Sequence, residues 1–144
     1  MTIRLEHANL SVRDVDAAIR FLTTAFPGFR LRGRGADCAG HAWAHVGDDE
    51  TYLSLLAATA EPAAPFVPYA GAPGLNHLGF EVDAVAALRA RMRAAGYRET
   101  TVPNAHPARR RVYFADAEGN DWEFVEYKTA VRAERNDYSG EGAR

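Results

Sequence analysis

Two histidines, His7 and His77, stand 70 residues apart in matching surroundings, each with a leucine two positions before it, Leu5 and Leu75. An aspartate suited to cap a helix follows each, Asp14 and Asp83. The match continues downstream, where H-A-W-A-H-V-G-D-D-E-T-Y-L-S-L-L (41–56) runs parallel to R-R-V-Y-F-A-D-A-E-G-N-D-W-E-F-V-E-Y (110–127). Imidazoles ligate metals and move protons near neutral pH. The strands around these two add arginines, tyrosines and a glutamate, groups that are costly to bury unless they are paired or hold a ligand.

Alternation decides which of these groups share a face, because a strand sends successive side chains to opposite sides. In residues 3–12, Ala8, Leu10 and Val12 oppose Leu5, His7, Asn9 and Ser11. In the last strand Trp122 and Phe124 are the packing residues, which puts Asp121, Glu123, Val125 and Tyr127 on the other face. Glu126 is the rival of Glu123, and a one-residue slip would exchange them. Val112 and Phe114 pack in the preceding strand, leaving Arg109, Arg111 and Tyr113 opposite. The first half gives His41, Trp43 and His45 beside Tyr52, Ser54 and Leu56. This polar and aromatic face reads as the lining of a cavity.

The elements that position it repeat once. After the strand at 3–12, Asp14 caps a helix with Val15, Ala18, Ile19, Leu22 and Phe26 at helical spacing, stopped by Pro27-Gly28. A strand at 29–34 and a hairpin of 41–47 with 50–57 complete the first half. Residues 58–73 are rich in Ala and Pro and read as a connector. The second half has a strand at 75–82, a helix capped by Asp83 and ended by Gly96, and strands at 97–102, 110–115 and 121–128. Residues 103–108 read as a loop, and a short helical turn is expected near Ala133 in the polar tail 129–144. The last six residues are expected to be disordered. The expected architecture is α+β, a single domain over 1–144 of two tandem βαβββ modules, about 3–57 and 74–128, forming a curved mixed sheet around a cavity.

A half of about 70 residues buries too little surface to stand comfortably alone, so the halves are expected to share a core. The composition, 47% hydrophobic and 25% charged, is that of an ordinary globular protein. A net charge of −2 gives no reason to expect nucleic acid or an anionic membrane as partner. The single cysteine, Cys38, excludes an intrachain disulfide, and with no apolar leader segment the chain reads as cytoplasmic.

Two such modules, a histidine in the first strand of each and the closing D-A-E-G-N-D-W-E-F-V-E-Y resemble the vicinal oxygen chelate superfamily. Its members include glyoxalase I, fosfomycin-modifying thiol transferases, extradiol dioxygenases and metal-free bleomycin-binding proteins. The resemblance covers residues 3–128. It implies metal ligands from the first and last strand of each module, at the positions of His7, Ser54, His77 and Glu123. Glyoxalase I carries a glutamate where Ser54 stands here. The remaining two imidazoles and one carboxylate suit Fe(II), Mn(II), Ni(II) or Zn(II), and resemble more closely the set of extradiol dioxygenases and fosfomycin transferases.

The resemblance implies three functions. The first is a metal-dependent glyoxalase I-like lyase or isomerase, chelating a small substrate through adjacent oxygens, with Glu123 as both ligand and catalytic base. The second keeps the metal and changes the chemistry to thiol or water addition or to dioxygenase chemistry. The third is a bleomycin-resistance-like protein that sequesters a drug or metabolite without metal. Asn9, Trp43, Tyr52, Ser54, Arg109, Arg111 and Tyr113 are the candidate substrate-binding residues, the arginines favouring an anionic molecule. Short two-module members resemble homodimers, and the sequence leaves open whether the site forms within one chain or across two.

Overall fold

The computed structural model describes residues 3–61, 67–71, 73–103 and 105–135, and it divides into two compact units, Met1–Pro65 and Phe66–Arg144. The division falls inside the Ala/Pro connector. Residues 62–66 and 72 of that connector lie outside the described residues, as do the last six residues of the chain.

The first unit runs β1 (His7–Val12), α1 (Val15–Ala25), β2 (Arg30–Ala36), β3 (Ala42–Gly47) and β4 (Tyr52–Ala57). Its sheet has the order β1-β4-β3-β2, with β1 parallel to β4 and the other pairs antiparallel. Asp14 caps α1 as its position predicts, its Oδ1 accepting the Ala17 N–H at 2.8 Å. The helix lays Phe21, Leu22 and Ala25 on the apolar sheet face, where Val12, Ala44, Val46, Leu53 and Leu55 are buried with them.

The second unit repeats the order with β5 (His77–Glu81), α2 (Val85–Ala94), β6 (Arg98–Glu99), β7 (Arg109–Ala115) and β8 (Asp121–Tyr127), followed by α3 (Arg132–Arg135). Its sheet is β5-β8-β7-β6, again with one parallel pair, β5 and β8. Leu88 and Met92 of α2 pack on Val112, Phe114, Trp122 and Phe124, all buried. Trp122 is accommodated there because its Nε1–H donates to Asp116 Oδ2 at 3.0 Å. Gly96, at φ +83°, ends α2; its N–H reaches Arg93 O and the Tyr97 N–H reaches Met92 O, a Schellman closure that only a left-handed residue permits.

The eight strands form two four-stranded mixed sheets, one to each βαβββ module, as the expected α+β architecture requires. Three expectations need correction. The first strand begins at His7 and not at residue 3, and Ile3 and Leu5 before it are exposed. Asp83 does not cap α2: Ala84 holds the N-cap position without a side-chain bond, and Glu126 of β8 accepts the Val85 N–H at 2.9 Å. The strand expected at 97–102 shrinks to Arg98–Glu99: the Thr100 N–H still reaches Tyr113 O, but the Tyr113 N–H turns to the Thr101 hydroxyl instead of a backbone carbonyl.

Candidate metal and proton-transfer site

The registers place the chemistry of the second unit on one face of its sheet. His77 stands opposite Asp121, Gly79 opposite Glu123, and Tyr113 opposite Glu123 from the other side. His77 Nε2 lies 3.1 Å from Glu123 Oε2, and Arg111 Nη1 lies 3.5 Å from Glu123 Oε1. The carboxylate is largely shielded, its side chain 12% exposed. Gly79 lies against it: a Cβ there would stand 3.4 Å from Oε2, in van der Waals contact, leaving no space for a larger side chain in that direction. Tyr113 keeps its proton well above the usual phenol range, chiefly through burial and then through its hydrogen bond to Glu123 and that group's negative charge.

Behind His77 lie two residues that pattern reading did not select. Tyr69, in the connector, places its hydroxyl 2.9 Å from His77 Nδ1 and donates to Asp121 Oδ2 at 3.1 Å. Burial, and then the Asp121 carboxylate, pushes the Tyr69 phenol up to about 12, so the hydroxyl stays protonated. Thr100 donates to the other oxygen, Asp121 Oδ1. Asp121 was legible as a residue on the face of Glu123; nothing in the connector's composition marked Tyr69.

The donor set fits a divalent ion. Ligand atoms each about 2.1 Å from a six-coordinate ion sit about 3 Å apart at adjacent corners, which is the separation of His77 Nε2 from Glu123 Oε2. No group of three His, Cys, Asp or Glu gathers at one point among the described residues. Within the second unit the close donor pair is His77 Nε2 with Glu123 Oε2.

In the first unit the equivalent positions carry different chemistry. His7 opens β1 and stacks on Tyr52, ring centroids 4.9 Å apart, with its Nδ1 2.5 Å from Glu6 Oε2. Asn9 Nδ2 donates to Ser54 Oγ at 3.0 Å, so the positions that Gly79 and Glu123 hold in the second unit carry a neutral pair here. Tyr52, His45 and Trp43 continue as an aromatic row, with the Arg32 guanidinium 4.7 Å over the Tyr52 ring. Trp43 lies against the backbone of Gly33 and Gly35, whose missing side chains let the indole approach. His41 stands before β3 with its ring bonded to Asp37.

The other sequence candidates fall elsewhere. Arg109 stands opposite Tyr127 in the β7/β8 ladder, on the face of Glu123. Glu126 turns to the helix side, where it meets α2 and Arg110. A cleft of about 650 Å³ opens between α2 and β7, lined among others by Arg89, His106, Arg110 and Lys128. Arg89 and Arg110 there are already tied to Glu99 and Glu126, so the cleft is less basic than its arginines alone would make it.

The model of the Glyoxalase/Bleomycin resistance protein/Dioxygenase superfamily matches residues 4–124. The chain belongs to that superfamily. No curated protein matches this superfamily member by sequence. Among solved structures it is similar to a glyoxylase/bleomycin resistance protein/dioxygenase domain from Frankia sp. EAN1pec, at 23% identity and TM-score 0.72, covering 89% of this chain and 100% of that one. It is similar to the fosfomycin resistance protein FosX from Listeria monocytogenes, solved with Mn(II) and sulfate, at 18% identity and TM-score 0.66, covering 94% and 98%. A glyoxalase family protein from Enterococcus faecalis gives 19% identity and TM-score 0.69 over 85% and 97%. At these identities the likeness establishes the α+β glyoxalase-like fold. No helix among the described residues is long and apolar enough to cross a membrane.

Proposed function

We propose that this superfamily member is a metal-dependent enzyme of glyoxalase I-like type, in which His7, His77 and Glu123 hold one divalent ion, Fe, Mn, Ni or Zn. The observation that carries the reading is the 3.1 Å approach of His77 Nε2 to Glu123 Oε2, backed by Tyr69 and Asp121. When bound, the ion supplies Lewis acidity to two adjacent oxygens of a small substrate. Glu123 has one oxygen at His77 and the other beside Arg111, and we assign to the second the transfer of a proton from a substrate carbon and back. Arg111 and Arg109 favour an anionic substrate, and Tyr113 holds a hydrogen-bond donor beside the base. Trp43, Tyr52, Asn9 and Ser54 would meet the rest of the molecule. The protein would act in the cytoplasm as a homodimer.

A second reading, addition of water or a thiol to the substrate, is favoured by the Asn9–Ser54 pair, which leaves a single carboxylate at the site. The test begins with the metal content of protein purified without added metal, beside His77→Ala. Near-stoichiometric metal lost in the variant supports the site. Glu123→Gln should then lower turnover by about 10²- to 10⁴-fold on whichever substrate is accepted from a panel of a hemithioacetal, fosfomycin and a catechol. Protein that is metal-free and takes up no divalent ion would overturn the enzyme reading in favour of a metal-free sequestering pocket.

A further inference from the structure

We infer that Tyr69 and Asp121 are positioning residues, which fix His77 in the tautomer whose Nε2 lone pair faces Glu123. The argument is a count of protons. A tyrosine hydroxyl has one hydrogen to give and lone pairs to receive. Tyr69 gives its hydrogen to Asp121 Oδ2, so it can only accept from His77, and the proton on that ring sits at Nδ1. Nε2 is left as a lone pair 3.1 Å from Glu123 Oε2. Two acceptors facing each other at that distance repel unless a proton or a metal cation lies between them. The chain from Asp121 through Tyr69 to His77 thus prepares the Nε2–Oε2 pair for a positive ion, as outer hydrogen bonds do for metal-binding histidines.

Three further observations support placement over accident. Tyr69 has φ +64°, the one left-handed non-glycine among the described residues, and such a conformation persists in a bulky residue only where its surroundings over-determine it. Asn76, beside His77 in the G-L-N-H run, holds it there by accepting the Tyr69 N–H at 2.8 Å. Asp121 is buried and each of its oxygens accepts from one hydroxyl, Oδ1 from Thr100 and Oδ2 from Tyr69, so the carboxylate is held from both sides.

Asp121→Asn reverses the polarity without changing the shape. Thr100 would donate to the amide oxygen, the amide nitrogen would donate to Tyr69, and Tyr69 would then have to donate to His77 Nδ1. The ring proton would move to Nε2. The experiment is the two-bond ¹H–¹⁵N spectrum of histidine rings in metal-free protein at alkaline pH, with Mn(II) titration of the same samples. We expect the Nδ1–H form in the wild type, the Nε2–H form in Asp121→Asn, and Mn(II) binding weaker by about 10- to 100-fold in that variant and in Tyr69→Phe. Asp121→Asn that keeps the Nδ1–H form would overturn the inference. Its affinity readout rests on the proposed metal site and its tautomer readout does not: a reversed tautomer in a protein that takes no Mn(II) upholds the relay and removes the metal.

Discussion

Gly79 faces Glu123 across the parallel β5/β8 pair, and the space above it decides where the carboxylate can lie. A Cβ at this position would meet Oε2 at 3.4 Å, an ordinary van der Waals contact, so Gly79→Ala fits with Glu123 in place. Removing the glycine also restricts the unfolded chain, and the alanine variant should be more stable by about 0.5–1 kcal/mol. Valine adds two carbons about 1.5 Å beyond Cβ and fills two of the three staggered directions. The carboxylate must then leave its position 3.1 Å from His77 Nε2. Loss of one ligand oxygen should weaken Mn(II) binding at least tenfold, about 1.4 kcal/mol. The assay pairs urea unfolding with Mn(II) titration across Gly, Ala and Val. A valine variant that binds Mn(II) as tightly as the wild type would refute the account of why a glycine stands here.

Two other predictions follow from single contacts. A Cβ at Gly35 would lie 3.2 Å from three indole atoms of Trp43, so Gly35→Val should lift the ring toward solvent and shift Trp43 emission to the red, read in a Trp122→Phe background; an unmoved spectrum would contradict the packing. Burial alone would raise the Glu99 carboxyl, but hydrogen bonds from Arg89, Thr101 and Arg93 outweigh it and hold Glu99 below the ordinary carboxylate range. A group depressed in the folded state stabilises fully above its unfolded value and loses that contribution as pH falls through its folded value. Glu99→Gln should therefore cost about 1 kcal/mol at pH 7, and its deficit against the wild type should shrink as pH is lowered through the carboxylate range.

The sequence carried the module order because the repeat supplied each pattern twice, and the face assignments because Trp122, Phe124, Val112 and Phe114 leave only one register for their strands. Asp14 was readable as a cap since its partner, the Ala17 N–H, lies three residues on. Asp83 misled for the opposite reason: the group that takes the Val85 N–H is Glu126, 41 residues away in sequence. Tyr69 escaped for the same cause. Its partners, Asp121 and Asn76, are brought to it by the sheet and by a left-handed backbone, and neither leaves a periodic trace in the connector. Local signals fixed local structure; the groups behind His77 required the fold.

The two units fill one template in opposite ways. Opposite one another in the parallel pairs stand Asn9 with Ser54 in the first unit and Gly79 with Glu123 in the second. In each a larger side chain is matched by a smaller one, but the larger has changed strands and its charge has changed with it. The exchange makes a double-mutant prediction. Ser54→Glu alone would push a carboxylate into a buried place held by the Asn9 amide, at a cost of about 3 kcal/mol. Asn9→Gly alone loses one hydrogen bond and gains a strand glycine, about 1–2 kcal/mol. Together they reproduce the second unit's pair beside His7, so the double variant should be less destabilised than the sum by at least 1 kcal/mol, measured as a coupling energy from urea midpoints. Additive costs would mean that the match of large with small across β1 and β4 is not what keeps Ser54 where a glutamate could stand.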